Sequence, residues 1–180
     1  MLIVGLSGYA RSGKDTIANQ LVAKHDFKKM SFADPIKEAL LKLNPIIQGG
    51  IRLKELVAEY GWEETKDEFP EARHLLQRLG AEVGREMFGP TFWIRQMEHR
   101  IKHSSADRIV IADVRYPNEA QMIKANNGVV WRVRRPDFVP VNAHGSESAM
   151  DNWDFDQVFY NSGSVKDLQA LVQARMMMYV

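Results

Sequence analysis

The sequence predicts an α/β fold, a parallel sheet covered by helices on both faces. Three observations predict it. Short apolar runs alternate along the chain with segments whose apolar residues recur at helical spacing. The runs at residues 2–6, 108–113 and 129–133 are nearly all apolar, as strands buried on both faces require. A glycine-rich turn joins the first of these runs directly to the first helical segment.

Taken in order, Leu2-Ile3-Val4-Gly5-Leu6 is the first strand and Ile17-Ala18-Asn19-Gln20-Leu21-Val22 lies in the first helix. Lys29-Met30-Ser31-Phe32 reads as a second, short strand. Asp34 is the expected N-cap of the helix that follows, with Pro35 at its first position. Residues 45–50 read as a loop, and helical spacing returns from Ile51 to Tyr60 until Gly61 stops it. The acidic stretch from Trp62 to Pro70 is expected to be irregular. A long helix then runs from about Glu71 to Met87, with Leu75, Leu76, Leu79 and Val83 on one face and Gly80 and Gly84 four apart. Gly89-Pro90 breaks it.

Phe92 to His103 is a further helix, and Arg108-Ile109-Val110-Ile111-Ala112-Asp113 is the clearest interior strand after the first. Tyr116-Pro117-Asn118-Glu119 opens another helix, Asn127-Gly128 closes it, and Val129-Val130-Trp131-Arg132-Val133 is a strand. Residues 134–154 are rich in Pro, His, Ser and Asp with little periodicity, the composition of a mobile loop over a site. Gln157 to Tyr160 forms a last short strand, and Ser164-Val165-Lys166-Asp167 reads as the capping box of a C-terminal helix.

At 180 residues the chain is read as one domain, 1–180, large enough to bury a continuous core. It contains no cysteine, which excludes disulfides, thiolate chemistry and a cysteine-built zinc site. A formal net charge of +1 and the lack of a Lys/Arg-rich block argue against nucleic-acid binding. The N-terminal apolar run lacks a charged segment before it and is too short to span a bilayer, so no membrane or export signal is expected.

The chemistry starts at Gly8-Tyr9-Ala10-Arg11-Ser12-Gly13-Lys14-Asp15-Thr16. The G-x-x-x-x-G-K spacing lets successive backbone N–H groups curl around a polyphosphate at a helix N-terminus, and Lys14 adds a cation. The residue after the lysine is usually Ser or Thr, whose hydroxyl ligates Mg²⁺; here Asp15 precedes Thr16, and either can face the metal. Asp113, ending an interior strand, is the expected second acidic residue at the metal. Arg115 and Glu119 follow it, placed either to meet a phosphate or to pair with each other across the turn.

Arg11, Arg78, Arg85, Arg134 and Arg135 are further guanidinium groups suited to phosphate, with a solvated helix face as the competing reading. Arg78 and Arg85, seven apart, would share one helix face. His144-Gly145-Ser146-Glu147 imitates part of a nucleophilic triad, but no G-x-S-x-G elbow accompanies it. Phe32, Trp93 and Trp153 can stack on a base, although aromatics at such spacing equally serve the core.

Taken together these motifs resemble the phage-type deoxynucleoside monophosphate kinases of the P-loop kinase superfamily. The Asp-Thr ending of the loop is typical of that family. Phe32-Ala33-Asp34-Pro35-Ile36-Lys37, Leu76-Gln77-Arg78-Leu79-Gly80 with Gly84-Arg85 and Trp93, Asp113-Val114-Arg115 with Asn118-Glu119, His144-Gly145-Ser146-Glu147 and Asn161-Ser162-Gly163-Ser164 follow in the family's order. The resemblance spans nearly the whole chain.

It implies a P-loop kinase fold with a helical acceptor-binding insertion at 34–103 and a lid at 134–154. It also implies transfer of the ATP γ-phosphoryl to the 5′-phosphate of a deoxynucleoside monophosphate, with Mg²⁺. By resemblance, Gly8, Ala10, Ser12, Gly13, Lys14, Asp15 and Thr16 hold ATP, with Arg134 and Arg135 closing from the lid. Asp15, Thr16 and Asp113 handle the metal, and Arg11 bridges donor and acceptor. Phe32, Asp34, Lys37, Arg78, Arg85, Trp93, Arg115 and Glu119 serve the acceptor, and Lys14, Arg11, Asp15 and Arg115 take part in transfer. Location would be cytoplasmic, in the host for a phage-encoded chain, and homodimerisation stays open. Two rival readings share the loop: a kinase of another small metabolite, as in the animal-type phosphomevalonate kinases with their similar Gly-Lys-Asp loop, and a non-catalytic ATP-binding module. A hydroxyl acceptor would need a carboxylate base, for which Asp34 and Asp113 are placed.

Overall fold

The computed structural model describes residues 1–136 and 148–179. They form two compact units, Met1–Ser31 with the chain from Ile101 onward, and Phe32–Arg100.

The first unit is built on five parallel strands in the order β2-β5-β1-β6-β7. These are β1 (Leu2–Ser7), β2 (Lys28–Met30), β5 (Arg108–Ile111), β6 (Val129–Arg134) and β7 (Gln157–Tyr160). β1 sits in the middle, with Val4 opposite Val110 on one side and Val129 on the other. The strand order reverses direction at β1, so its C-terminal end is where an open α/β sheet offers a crevice.

Helices α1 (Lys14–His25) and α7 (Val165–Met176) cover one face. There Val4, Leu6, Ile17, Leu21, Val133, Leu168 and Val172 are buried in one cluster. Each such side chain contributes roughly 1.5–3 kcal/mol on burial. On the other face α6 (Pro117–Ala125) packs so closely that Ile123 Cδ1 lies 2.5 Å from where a Cβ on Gly5 would stand. The expectation of helices on both faces of a parallel sheet holds. α7 carries its capping box: the Ser164 hydroxyl and N–H both donate to Asp167, at 2.7 and 2.8 Å. These bonds hold the Asp167 carboxyl below its ordinary range. The cap therefore acts above the ordinary carboxylate range and is lost as pH falls through the depressed value.

The second unit holds α2 (Asp34–Leu43), a small hairpin of β3 (Ile46–Ile47) and β4 (Ile51–Arg52), α3 (Leu53–Glu68), α4 (Pro70–Arg78) and most of α5 (Phe92–Lys102). Leu40, Ile47, Leu53, Leu56 and Ala72 form its core.

Several local expectations change here. Ala33, not Asp34, is the N-cap of α2, and Asp34 is its first residue. Within the predicted loop at 45–50, Ile46 and Ile47 form a strand that pairs with Ile51–Arg52, so the next helix starts at Leu53 rather than Ile51. Gly61, at φ 74° and ψ 170°, interrupts the helical backbone as the sequence reading expected, but the acidic stretch beyond it to Glu68 is helical rather than irregular. Just past the break Thr65 donates to the Gly61 carbonyl at 2.6 Å, and its full burial gives the acidic segment an anchored face. The long helix expected over 71–87 is α4 followed by a π-helix, Leu79–Met87.

Gly128, between α6 and β6, tests the packing. A Cβ there would stand 2.8 Å from the Ile3 carbonyl oxygen and 2.9 Å from that of Ile123, both main-chain atoms. Gly128→Ala is expected to lose about 2 kcal/mol of stability, read as a lower midpoint in chemical denaturation.

Candidate active site

The loop from Gly8 to Gly13 leaves the C-terminal end of β1 and delivers the chain to the N-terminus of α1. It closes because Gly8, Arg11 and Gly13 take positive φ angles of 153°, 59° and 110°. Glycine is demanded twice at position 13. Beyond its φ, a Cβ there would lie 2.7 Å from Asn161 Nδ2. That amide donates to the Ser12 carbonyl at 2.9 Å, which ties the loop to the end of β7. At Gly8 a Cβ would stand 2.5 Å from the Val133 carbonyl oxygen.

Inside the curl, Lys14 Nζ donates to the carbonyls of Gly8 and Tyr9, both at 2.7 Å. The Ser12 hydroxyl is buried with no hydrogen-bond partner among the described residues. An orphaned buried hydroxyl and a helix N-terminus at one loop are what an oxyanion completes. Ala10 is exposed at the loop's tip.

Asp15, in the first turn of α1, accepts from Lys29 of β2 at 2.7 Å, and its side chain is 77% exposed. Thr16 stands beside it, half-buried. At the end of β5, Asp113 accepts a 2.6 Å hydrogen bond from the Ser31 hydroxyl at the end of β2. Among the described residues no cluster of three His, Cys, Asp or Glu could hold a metal by itself. Thr16, Ser31 and Asp113 are hard oxygen donors, the kind that shares Mg²⁺ with phosphates and water.

Arg115 is exposed, and Glu119 is buried with its Oε2 accepting the N–H groups of Arg115 and Tyr116 at 2.8 and 3.1 Å. The carboxylate thus reaches the Arg115 main chain across the turn and sets it. Arg134 and Arg135 end β6 exposed, and the Arg134 carbonyl accepts the Asn161 N–H at 2.7 Å. A cavity of about 270 Å³ lies here, lined by Arg11, Lys14, Asp15, Thr16, Arg135 and Asn161 among others. Three of these side chains are cationic and one is anionic, a balance suited to a polyphosphate. A larger cavity of about 520 Å³ between β7 and α7 is lined mainly by apolar residues such as Phe159, Leu171 and Met178 and, among the described residues, by no carboxylate.

Sequence reasoning gave no part to Arg132. It is 1% exposed, and it donates to Ser7 Oγ at 3.2 Å and to Asp151 at 2.6 Å. Tyr9, in the loop, donates to the other Asp151 oxygen at 2.7 Å. The available signal was a lone arginine inside the apolar run Val129-Val130-Trp131-Arg132-Val133, since a charge within a buried strand must be paired.

The remaining candidates lie in the second unit. Lys37 Nζ stands 5.8 Å above the Trp62 ring. Arg78 donates from Nε to Glu82, and Arg85 to the Pro90 carbonyl at 3.3 Å. Arg85 lies in the π-helix, whose wider turns mean that seven positions no longer make two turns. The shared face expected from α-helical spacing is therefore not kept. Trp93 is 6% exposed, donates to the Gly80 carbonyl at 2.8 Å, and fills the space where a Cβ on Gly84 would be. Phe32 is 5% exposed. Both aromatics take the core role their spacing also allowed. His144, Gly145, Ser146 and Glu147, and residues 137–147 of the expected lid, lie outside the described residues.

Among the described residues no helix is long and apolar enough to cross a membrane. The family model for deoxynucleotide monophosphate kinase matches residues 2–59 and 52–172. A protein of Acanthamoeba polyphaga mimivirus, provisionally named as a deoxynucleotide monophosphate kinase, is 28% identical over 194 residues, spanning 96% of this chain and 94% of that one. The deoxynucleoside-5′-monophosphate kinase of Escherichia phage T5 is 26% identical over 70% of this chain and 73% of its own. The crystal structure of shikimate kinase from Aquifex aeolicus aligns with a TM-score of 0.50 at 10% identity, over 98% of this chain and 97% of that one, a likeness of fold alone. With the phosphate loop, the parallel sheet and a family model that spans most of its length, the chain belongs to the deoxynucleotide monophosphate kinase family.

Proposed function

We propose that this chain transfers the γ-phosphoryl of ATP to the 5′-phosphate of a deoxynucleoside monophosphate, giving ADP and a deoxynucleoside diphosphate. The observation that carries the reading is the loop: a helix N-terminus, a tethered lysine and an orphaned buried hydroxyl in one curl of chain. Family membership supplies the acceptor class.

The loop N–H groups and the α1 N-terminus bind the donor phosphates, and Lys14 shifts from carbonyls to phosphate oxygens as they arrive. Arg11 and Arg135 add charge at the loop's mouth and stabilise the transferring group. Thr16 and Asp113 would hold Mg²⁺; Lys29 turns one Asp15 oxygen toward β2, which favours the Thr16 hydroxyl as the loop's donor. The metal, when bound, neutralises charge between the phosphates. Arg115 meets the acceptor phosphate from the end of β5, on a turn held by Glu119. Lys37, Arg78 and Arg85, in the second unit, are assigned to acceptor recognition by family resemblance. The acceptor phosphate is already mostly ionised near neutral pH, its second pKa being about 6, so no strong base is required.

The deciding experiment measures ADP release with Mg²⁺ and ATP, alone and with each deoxynucleoside and ribonucleoside monophosphate. Stimulation by one or more deoxynucleoside monophosphates is expected. ATP binding without stimulation by any nucleotide would instead favour another metabolite acceptor or an ATP-binding module. Lys14→Ala is expected to cut kcat/KM by at least about 100-fold while its melting temperature stays near wild type. Arg115→Ala should raise KM for the acceptor well above any change in KM for ATP, and equal changes on both would move Arg115 to the donor side.

A further inference from the structure

Tyr9 is a hub of the phosphate loop. Its carbonyl accepts from Lys14 Nζ at 2.7 Å and from the Ser12 N–H at 3.2 Å, so its position sets both the ammonium and the curl. Its side chain leaves the loop and is gripped elsewhere. The phenol donates to Asp151 Oδ2 at 2.7 Å, and the ring lies 5.1 Å from the Arg132 guanidinium carbon. Arg132 is opposite Ser7 in the β1–β6 register, takes the other Asp151 oxygen at 2.6 Å, and has Phe155 at 5.4 Å. Asp151 belongs to a turn anchored by the fully buried Met150 and closed by a bond from its own N–H to the Ser148 carbonyl.

From this geometry we infer that Tyr9, Asp151 and Arg132 are positioning residues: a brace that fixes the phosphate loop from outside in the form that binds ATP. The inference rests on the reading of the loop as the ATP site. A buried arginine needs one carboxylate to balance its charge, and Asp151 does that alone. Sharing this carboxylate with a hydroxyl from the loop adds nothing to the pairing of Arg132. What it does is couple the loop to a rigid strand. Hydrogen bonding to Asp151, with burial, holds the Tyr9 phenol above its ordinary range, so the donor persists through neutral pH. Such coupling acts on affinity, because an unbraced loop must be ordered each time phosphate binds.

Tyr9→Phe keeps the ring over Arg132 and deletes only the hydroxyl; Asp151→Asn keeps the shape and removes the charge. ATP binding is measured by calorimetry, and KM for ATP and for the acceptor by steady-state kinetics, with melting temperature alongside. Each variant is expected to weaken ATP binding about tenfold and to raise KM for ATP in step, with KM for the acceptor within about twofold. The double variant should be no worse than the weaker single, since both remove one link. An unchanged Kd for ATP in Tyr9→Phe, with or without a lower melting temperature, overturns the proposal and decides it even if Asp151→Asn fails to fold. Equal rises in KM for both substrates overturn it as well. A wild-type protein that does not bind ATP would instead remove the reading of the loop on which the brace depends.

Discussion

A lysine ammonium held 2.7 Å from two carbonyls of the loop that precedes it constrains everything around it. To bring both carbonyls onto one cation the chain must turn back within six residues, which requires left-handed backbone at Gly8, Arg11 and Gly13. A loop so tight leaves no room for walls at ordinary distance. The Val133 carbonyl and the Asn161 amide come as near as they do only because Gly8 and Gly13 have no side chain. The order β1-β6-β7 follows from this requirement as much as from burial, since those two strands deliver the walls.

Charge is distributed on the same plan. The chain is nearly neutral, with 24 Lys and Arg against 23 Asp and Glu, yet among the described residues three cations line the loop cavity against one carboxylate. That carboxylate, Asp15, accepts from Lys29, which moderates its repulsion of an arriving anion. A local excess of cations within a nearly neutral molecule gives an arriving phosphate a favourable field at that one place.

Wherever one segment's own chemistry decides its structure, the sequence was a sufficient guide. The loop, the strands at β1, β5 and β6, and the Ser164–Asp167 cap are such cases, because spacing, apolar runs and capping residues act locally. It was an insufficient guide where tertiary packing overrides local signals. Gly61 does interrupt the helix, but the acidic stretch beyond it, which looks irregular, winds into a second helical segment where Thr65 is buried and bonds back to the Gly61 carbonyl. Gly80 and Gly84 announced close approach without saying that Trp93 fills the space and that the backbone widens to a π-helix around them. The positions of Lys14 in the loop and of Asp113 past the end of β5 were legible from motif and strand end. Arg132 was not, because its partners lie 19 and 125 positions away in the chain.

That missed arginine separates two kinds of cation. Arg11, Arg115, Arg134 and Arg135 are in contact with solvent, where a guanidinium is cheap to keep. Arg132 is buried, and its Nε has no hydrogen-bond partner among the described residues, an omission that costs about 1–3 kcal/mol. A strand built for stability alone would place valine or isoleucine there, as β6 does on either side with Val130 and Val133. Retaining a charge at this depth makes sense through what it holds: Ser7 at the root of the loop, and Asp151, which in turn holds Tyr9. The sheet thus gives up some stability at β6 to fix a loop whose geometry no apolar contact could specify, because hydrogen bonds have direction and apolar burial does not.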